Sequence, residues 1–247
     1  MQLIKPNWDA PEHVQAYSTT RLGGGSEQQY EGLNLGLHVQ DDPHAVMANR
    51  KLLSDQAQGA GDFCWLNQTH SNRLIKVSAS TELGINADAS WTTSTDCTCV
   101  VMTADCLPVL VTNQQGSFVA AIHAGWRGLY DCIIENSITE ISKELDIPNQ
   151  QLLVWLGPCI GPSAFEVGDE VRTLFIEHNS LAIQAFTPGA PGKWFADLHA
   201  LARLRLASFT GINISVTPLC TYSDPHLFYS YRRDGQTGRL ATFIYLD

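Results

Sequence analysis

The sequence predicts an α+β fold with largely antiparallel sheets. Three observations carry that prediction: short apolar runs bounded by turn residues, helical-period stretches between some of them, and three strand candidates gathered at the chain end. Residues 14–19 read as a strand, followed by a flexible loop over 21–25. Asp42 followed by Pro43 marks a helix start, a capping carboxylate and then a first-turn proline, and this helix is expected to run to about Gln58. Residues 74–77 form a short strand candidate, and CTCVVM from Cys97 is a buried strand of small apolar side chains. Residues 107–112 and 117–122 form a hairpin that feeds a helix over 129–145. There Ile134, Ile138, Ile141 and Leu145 recur at four, three and four residues, so the helix covers one face of the sheet. Residues 152–156 are an apolar strand ending in the rigid GPCIGP loop, after which Val167, Val171 and Phe175 line one side of a helix. Residues 194–209 read as a further helix, and 212–217, 228–232 and 241–246 as strands.

At 247 residues, with no linker-like segment, the chain is expected to form one domain over 1–247. Its 25 acidic against 15 basic residues, a net charge of −10, argue against nucleic acid or an anionic membrane surface as the main partner. An anionic substrate would need a local basic pocket. The seven cysteines are an odd number scattered through apolar runs, which fits reduced thiols in a cytoplasmic protein rather than a disulfide framework. The N-terminus lacks the apolar core of a signal peptide, and no apolar run approaches the roughly 20 residues of a membrane span. Dinucleotide and P-loop fingerprints are absent.

The hairpin places chemistry. If it turns around Asn113, Gln114, Gln115 and Gly116, residues whose numbers sum to 229 face each other, and Cys106 and His123 are such a pair. Opposed residues carry Cβ atoms about 4.5–5.5 Å apart, close enough to share a metal ion or a proton. Pro108 disfavours a central strand and favours a bulge that moves the register by one residue. His70, in a polar stretch beside an apolar strand, is the candidate third ligand. Two histidines and a thiolate suit zinc, and three protein ligands leave a fourth position open, as catalytic zinc sites do. A bare Cys-His catalytic pair and a structural buried pair stay open beside this reading. A structural metal would need a fourth protein ligand, for which Cys97, Cys99 and Cys159 are weak candidates because each has a plain reading as a core thiol.

Gly125, Trp126, Arg127 and Gly128 lie between a strand and a helix N-terminus, where backbone amides and a guanidinium would converge on a phosphate. An ordinary strand-to-helix turn with Arg127 solvated is the alternative. Asp105 adjoins the cysteine and either orients a ligand, shuttles a proton or caps a turn.

The segments MTADCLPVL, HAGWRGL, GPCIGPSAFEVG and SYRRDGQTGR, with STTRLGG, GLNLG, NQTH and ADAS in that order around them, resemble the YfiH family, also called the laccase-domain or polyphenol oxidase family. The resemblance spans nearly the whole chain. It implies a layered α/β/β/α sandwich of mostly antiparallel mixed sheets, a cysteine hydrolase-like fold of a kind also found among deamidating toxins. It makes His70, Cys106 and His123 the metal ligands and places Arg21, Asn34, Gln68, Asp88, Arg127 and Glu166 in motifs around the pocket. It further implies a zinc-dependent purine nucleoside enzyme that phosphorolyses adenosine, inosine, guanosine and methylthioadenosine and deaminates adenosine. Phosphorolysis asks for an anion cradle at Arg127. Deamination asks for acidified water and a carboxylate such as Asp105 or Glu166, and Trp126 or Tyr231 would stack on the base.

Rival functions follow from the same residues. A His2Cys site with Met102 nearby resembles a blue-copper centre, so copper is the alternative metal. A multicopper oxidase, however, needs a histidine-rich cluster, and the eight histidines are scattered with no His-x-His pair. A cysteine hydrolase would use Cys106 activated by His123 without metal, and a peptidoglycan-editing amidase would act on a muropeptide precursor through the same site.

Overall fold

The computed structural model describes every residue except Leu83. In chain order it holds β1 (Leu3–Ile4), β2 (Val14–Thr19), α1 (Pro43–Gln56), β3 (Asp62–Trp65), β4 (Leu74–Lys76), β5 (Ala89–Thr92), β6 (Cys97–Thr103), β7 (Leu107–Asn113), β8 (Val119–Ala124), α2 (Trp126–Tyr130), α3 (Ile133–Leu145), β9 (Leu152–Leu156), β10 (Glu166–Gly168), α4 (Asp169–His178), β11 (Phe186–Pro188), β12 (Lys193–Ala196), α5 (Leu198–Leu206), β13 (Asn213–Val216), α6 (Tyr231–Asp234) and β14 (Leu240–Leu246). A five-stranded sheet runs β1-β2-β14-β6-β3, a six-stranded sheet β13-β9-β7-β8-β5-β4, and a small third sheet β10-β12-β11. The pairings β9–β13, β3–β6 and β4–β5 are parallel; the other described ladders are antiparallel.

The period of two along each strand builds the layers. On β6, Cys97, Cys99 and Val101 point between the two large sheets and meet Val119 and Ala121 of β8, Leu110 of β7 and Ile244 of β14. The intervening Val100 faces outward with Phe243 and Tyr245 of β14, where Leu53 of α1 covers that face. Outward residues of the six-stranded sheet, among them Val109, Val111, Ala120 and Ile122, pack under Ile134, Ile138 and Ile141 of α3 and Leu201 of α5. The result is an α/β/β/α sandwich whose central strands are buried on both faces, which is why they read as continuous apolar runs.

Several expectations hold and several are corrected. Strands over 14–19 and 152–156 have the expected bounds. Helix α1 begins as expected, with Asp42 Oδ1 accepting from His44 N at 2.9 Å. The hairpin register is wrong by two: Thr112 faces Val119 and Pro108 faces His123, so partners sum to 231. The cause is the turn. Asn113 Oδ1 accepts from Ser117 N (2.8 Å), its Nδ2 donates to Ser117 Oγ (2.9 Å), and Gly116 N donates to Asn113 O (2.9 Å), so the side chain of Asn113 closes a longer loop. Cys106 therefore lies opposite Gly125, not His123.

The expected helix over 129–145 is two helices. It begins early at Trp126 and breaks at Cys132, which takes the left-handed conformation at φ +61°. Val167 sits in β10 opposite Trp194, with Gly168 preceding α4, so its helical spacing to Val171 is a coincidence of two elements lining one core. The expected helix over 194–209 opens instead as β12, and Asp197 caps α5 by accepting from Ala200 N at 3.0 Å. Residues 228–232 form no strand. Phe228 and Tyr229 are buried, and the chain turns into α6 at Ser230, held there by the Asp105 carboxylate.

Candidate metal centre

β7 begins and β8 ends on the side of the sandwich where His123 enters. His123 shares a face with Val119 and Ala121, and Cys106 lies just before β7, two residues from the Pro108 that pairs with His123. A slip of two residues preserves the face, so the pair becomes diagonal neighbours whose side chains still meet. His70 comes from the loop between β3 and β4 and has φ +59°. Its Nε2 lies 4.0 Å from Cys106 Sγ, and its ring stands edge-on to His123 with centroids 4.9 Å apart. One donor atom from each of His70, Cys106 and His123 lies within 4.8 Å of the others, the one such group of three among the described residues.

Asp88 organises this cluster from behind. It is fully buried, and its carboxylate accepts from Thr69 N (3.1 Å), His70 N (3.0 Å), Ser71 N (2.7 Å) and Ser71 Oγ (2.7 Å), fixing the loop that carries His70. Its Oδ1 also takes His123 Nδ1 at 2.8 Å, which sets the tautomer and turns Nε2 toward the cluster. Burial opposes the Asp88 charge, but the hydrogen bonds from His123 and Ser71 hold its carboxyl well below the usual range. Burial likewise opposes charge on Cys106 and His123. Their mutual attraction wins, lowering the thiol and raising the imidazole, with His70 and Asp88 contributing.

Gln68 pins the same loop to the other sheet. Its Nε2 donates to Met102 O (2.8 Å) and its Oε1 accepts from Met102 N (2.7 Å), a two-point clasp on β6. The cluster thus sits where a loop is tied to both sheets at once.

The remaining sequence candidates are less uniform. Asp105 is buried at φ +95°, and its carboxylate accepts from Thr221 Oγ1 (2.7 Å), Ser230 Oγ (3.0 Å) and Arg232 N (2.7 Å), so it anchors the turn into α6. Asn34 is buried, donating to Asp41 and accepting from Gly36 N and Arg239 N. Arg21 donates to the carbonyls of Glu31 and Pro225 and lies over the Tyr229 ring. Arg127 is exposed, its guanidinium 4.4 Å from the centre of the Trp126 ring. Glu166 lies on β10, where its carbonyl accepts from Arg232 at 2.8 Å. None of Arg21, Asn34, Arg127 or Glu166 makes a hydrogen bond to the His70–Cys106–His123 cluster.

Residues that spacing could not find also gather here. His38 feels the charges of Arg239, Arg50 and His123, and Arg239 feels those of Cys106 and Asp105. They come from distant segments with no shared period; GLNLG before His38 was the sole nearby signal.

Residues 15–247 match the family described as multi-copper polyphenol oxidoreductase laccase. The chain belongs to this laccase-domain, or YfiH, family. A Pseudomonas aeruginosa protein named purine nucleoside phosphorylase is 44% identical over 245 residues, covering 99% of this chain and 98% of its own. The Escherichia coli purine nucleoside phosphorylase YfiH is likewise 44% identical, with 99% of each chain covered. Among solved structures, a Neisseria meningitidis protein superposes with a TM-score of 0.93 at 40% identity over 100% of both chains. YfiH of Bacillus licheniformis gives 0.90 at 31% identity, covering 95% of this chain and 93% of its own. These neighbours share the layered fold. No helix among the described residues is long and apolar enough to cross a membrane.

The donor set fits a metal. Bonds of about 2.0–2.3 Å in a tetrahedron place donor atoms roughly 3.3–3.7 Å apart, slightly closer than the 4.0 Å from His70 to Cys106. A His2Cys set with one histidine oriented by a carboxylate is an arrangement that can hold a metal ion, and three ligands leave a position open.

Proposed function

We propose that the chain is a zinc-dependent purine nucleoside phosphorylase that cleaves adenosine, inosine, guanosine and methylthioadenosine to base and ribose 1-phosphate and also deaminates adenosine. The observation that carries this reading is the convergence of His70, Cys106 and His123, with the His123 tautomer set by Asp88. The names of relatives at 44% identity over nearly the full chain support it.

His70, Cys106 and His123 would hold the zinc, which supplies Lewis acidity and an acidified water to the site. Asp88 keeps Nε2 of His123 aimed inward and the His70 loop in place. Asp105 has its oxygens engaged by three donors, so its part is to hold the strand end carrying Cys106. Glu166, whose carboxylate makes no hydrogen bond to the described residues, is the carboxylate left to move protons. Tyr231, 62% exposed, offers a ring for the purine to stack on. Phosphorolysis also needs a cation to hold phosphate beside the anomeric carbon.

A second reading has its own observation. Cys106, His123 and Asp88 are aligned as thiolate, imidazole and orienting carboxylate, the order a cysteine hydrolase or amidase uses without metal. A copper oxidase is less well supported. Met102 Sδ takes Arg50 at 3.7 Å, and one cluster of three donors is too few for a multicopper centre.

Metal analysis of protein purified without added metal, with inosine plus phosphate and adenosine alone assayed before and after chelation, separates these readings. Near-stoichiometric zinc with phosphate-dependent hypoxanthine release, both lost in Cys106→Ala and His123→Ala and kept in Cys159→Ala, is the expected result. Full turnover in metal-free Cys106→Ala protein would sink the site assignment, and chelator-resistant activity that needs Cys106 would favour the hydrolase.

A further inference from the structure

Two clefts meet at His38. One, of ≈ 960 Å³, is lined by Arg50, Trp65 and Met102. The other, of ≈ 400 Å³, is lined by Tyr231 and Arg239, and His38 borders both. Each cleft therefore carries a guanidinium. Among the described residues, neither guanidinium forms an ion pair.

Arg50 lies over the Trp65 ring, 3.8 Å from its centre, and donates Nε to Leu35 O at 2.9 Å; its NH2 meets the weakly accepting sulfur of Met102. Arg239 spends NH1 on the carbonyls of Thr237 and Gly238, at 3.0 Å each. Burial lowers both guanidinium pKa values, that of Arg50 to about 10. One short segment holds them. Leu35 accepts from Arg50 and its N–H donates to Arg239 O, while Asn34 Oδ1 accepts from Arg239 N. A Cβ on Gly36 would come within 2.7 Å of Arg239 Cγ, so the glycine makes room for that side chain. Partly buried guanidinium groups that form no salt bridge are costly, and in a chain of net charge −10 a directly paired carboxylate would have been easy to supply. Leaving both outside any salt bridge, on either side of a histidine that also feels His123 of the donor cluster, is the arrangement of an anion site, where low-dielectric walls strengthen attraction.

We propose that Arg50 and Arg239, set on either side of His38, form the subsite for free inorganic phosphate. The assignment of that phosphate as a co-substrate rests on the phosphorylase reading above. A phosphate oxygen bonds to the anomeric carbon as the glycosidic C–N bond breaks, and the bonding pair leaves on the purine. The proton lost by hydrogen phosphate ends on the base, which balances the reaction. Arg127 is the competing candidate, but it is exposed and lies against Trp126.

The test is calorimetric titration of the zinc-loaded full chain with inorganic phosphate and no nucleoside, with metal content and Tm checked for each variant. Arg239→Gln and Arg50→Gln are each expected to raise the phosphate Kd about tenfold or more, and Arg50→Lys, which keeps charge and stem, by less than Arg50→Gln. Unchanged affinity in a folded, metal-replete Arg239→Gln protein overturns the subsite even if Arg50→Gln fails to fold. A larger loss in Arg127→Gln than in either variant overturns it too. Parallel assays with inosine keep the two ideas apart. Phosphate binding that depends on Arg50 and Arg239 without hypoxanthine release retains the subsite and removes the phosphorylase reading. Turnover by protein whose phosphate affinity ignores both arginines does the reverse.

Discussion

Gly125 shows what one missing methyl permits. A Cβ there would stand 2.9 Å from Cys106 Sγ and 3.3 Å from His70 Cδ2, so any side chain would push two of the three donors aside. Gly125→Ala is therefore expected to keep the fold, judged by Tm within a few degrees, while metal affinity drops by about tenfold or more, the loss typical of disturbed ligand geometry. Undiminished zinc affinity would mean that the loop yields freely. Asp88 is the other residue on which the cluster depends. In Asp88→Asn the amide NH2 must face at least one of the N–H donors of Thr69, His70 and Ser71, and the fixed His123 tautomer is lost. Metal affinity should fall about 10–100-fold. Competition against a chromophoric chelator measures it, and a change under twofold would remove Asp88 from the design.

Elements whose determinants are local were the legible ones. Asp42-Pro43 announces α1 through a cap and a pre-set φ, and the structure shows the cap bond. Asp42→Ala should cost about 1 kcal/mol, the usual loss for an N-cap, seen as a shifted denaturation midpoint at constant slope. The hairpin was legible as a hairpin but not in register, because Asn113 closes its turn with side-chain bonds that period alone does not announce. Cys106 and His123 were still rightly joined, since an even slip leaves both on the inter-sheet face. The misread helices have non-local causes. Trp194 belongs to a strand because β10 and β11 flank it, and Tyr229 and Ser230 leave the strand pattern because Asp105, 125 residues from Ser230, captures the turn. His70 was findable as a third donor from its polar setting, whereas Arg50 and Arg239 were not. They stand out only in space, where neither forms a salt bridge among the described residues.

At the scale of the molecule, the centre lies at a seam. His123 belongs to the six-stranded sheet and Cys106 immediately precedes its strand β7, while His70 rides a loop clasped through Gln68 to β6 of the five-stranded one. A metal bound by all three joins the loop to the strand ends and exists only when both sheets are packed, so it binds the native state and not the unfolded chain. Free zinc at about 100 times its Kd should then add roughly 2.7 kcal/mol to stability. For a chain of this length that corresponds to a Tm rise of roughly 5–11 °C, since about 1 kcal/mol moves Tm by 2–4 °C in domains of 150–250 residues. Scanning calorimetry of chelated and zinc-restored protein reads the shift, and Cys106→Ala, which lacks the thiolate, should show little of it. An equal shift in wild type and Cys106→Ala would place the stabilising metal elsewhere. A shift confined to wild type would tie the stability of the sandwich to the same three side chains that the chemistry needs.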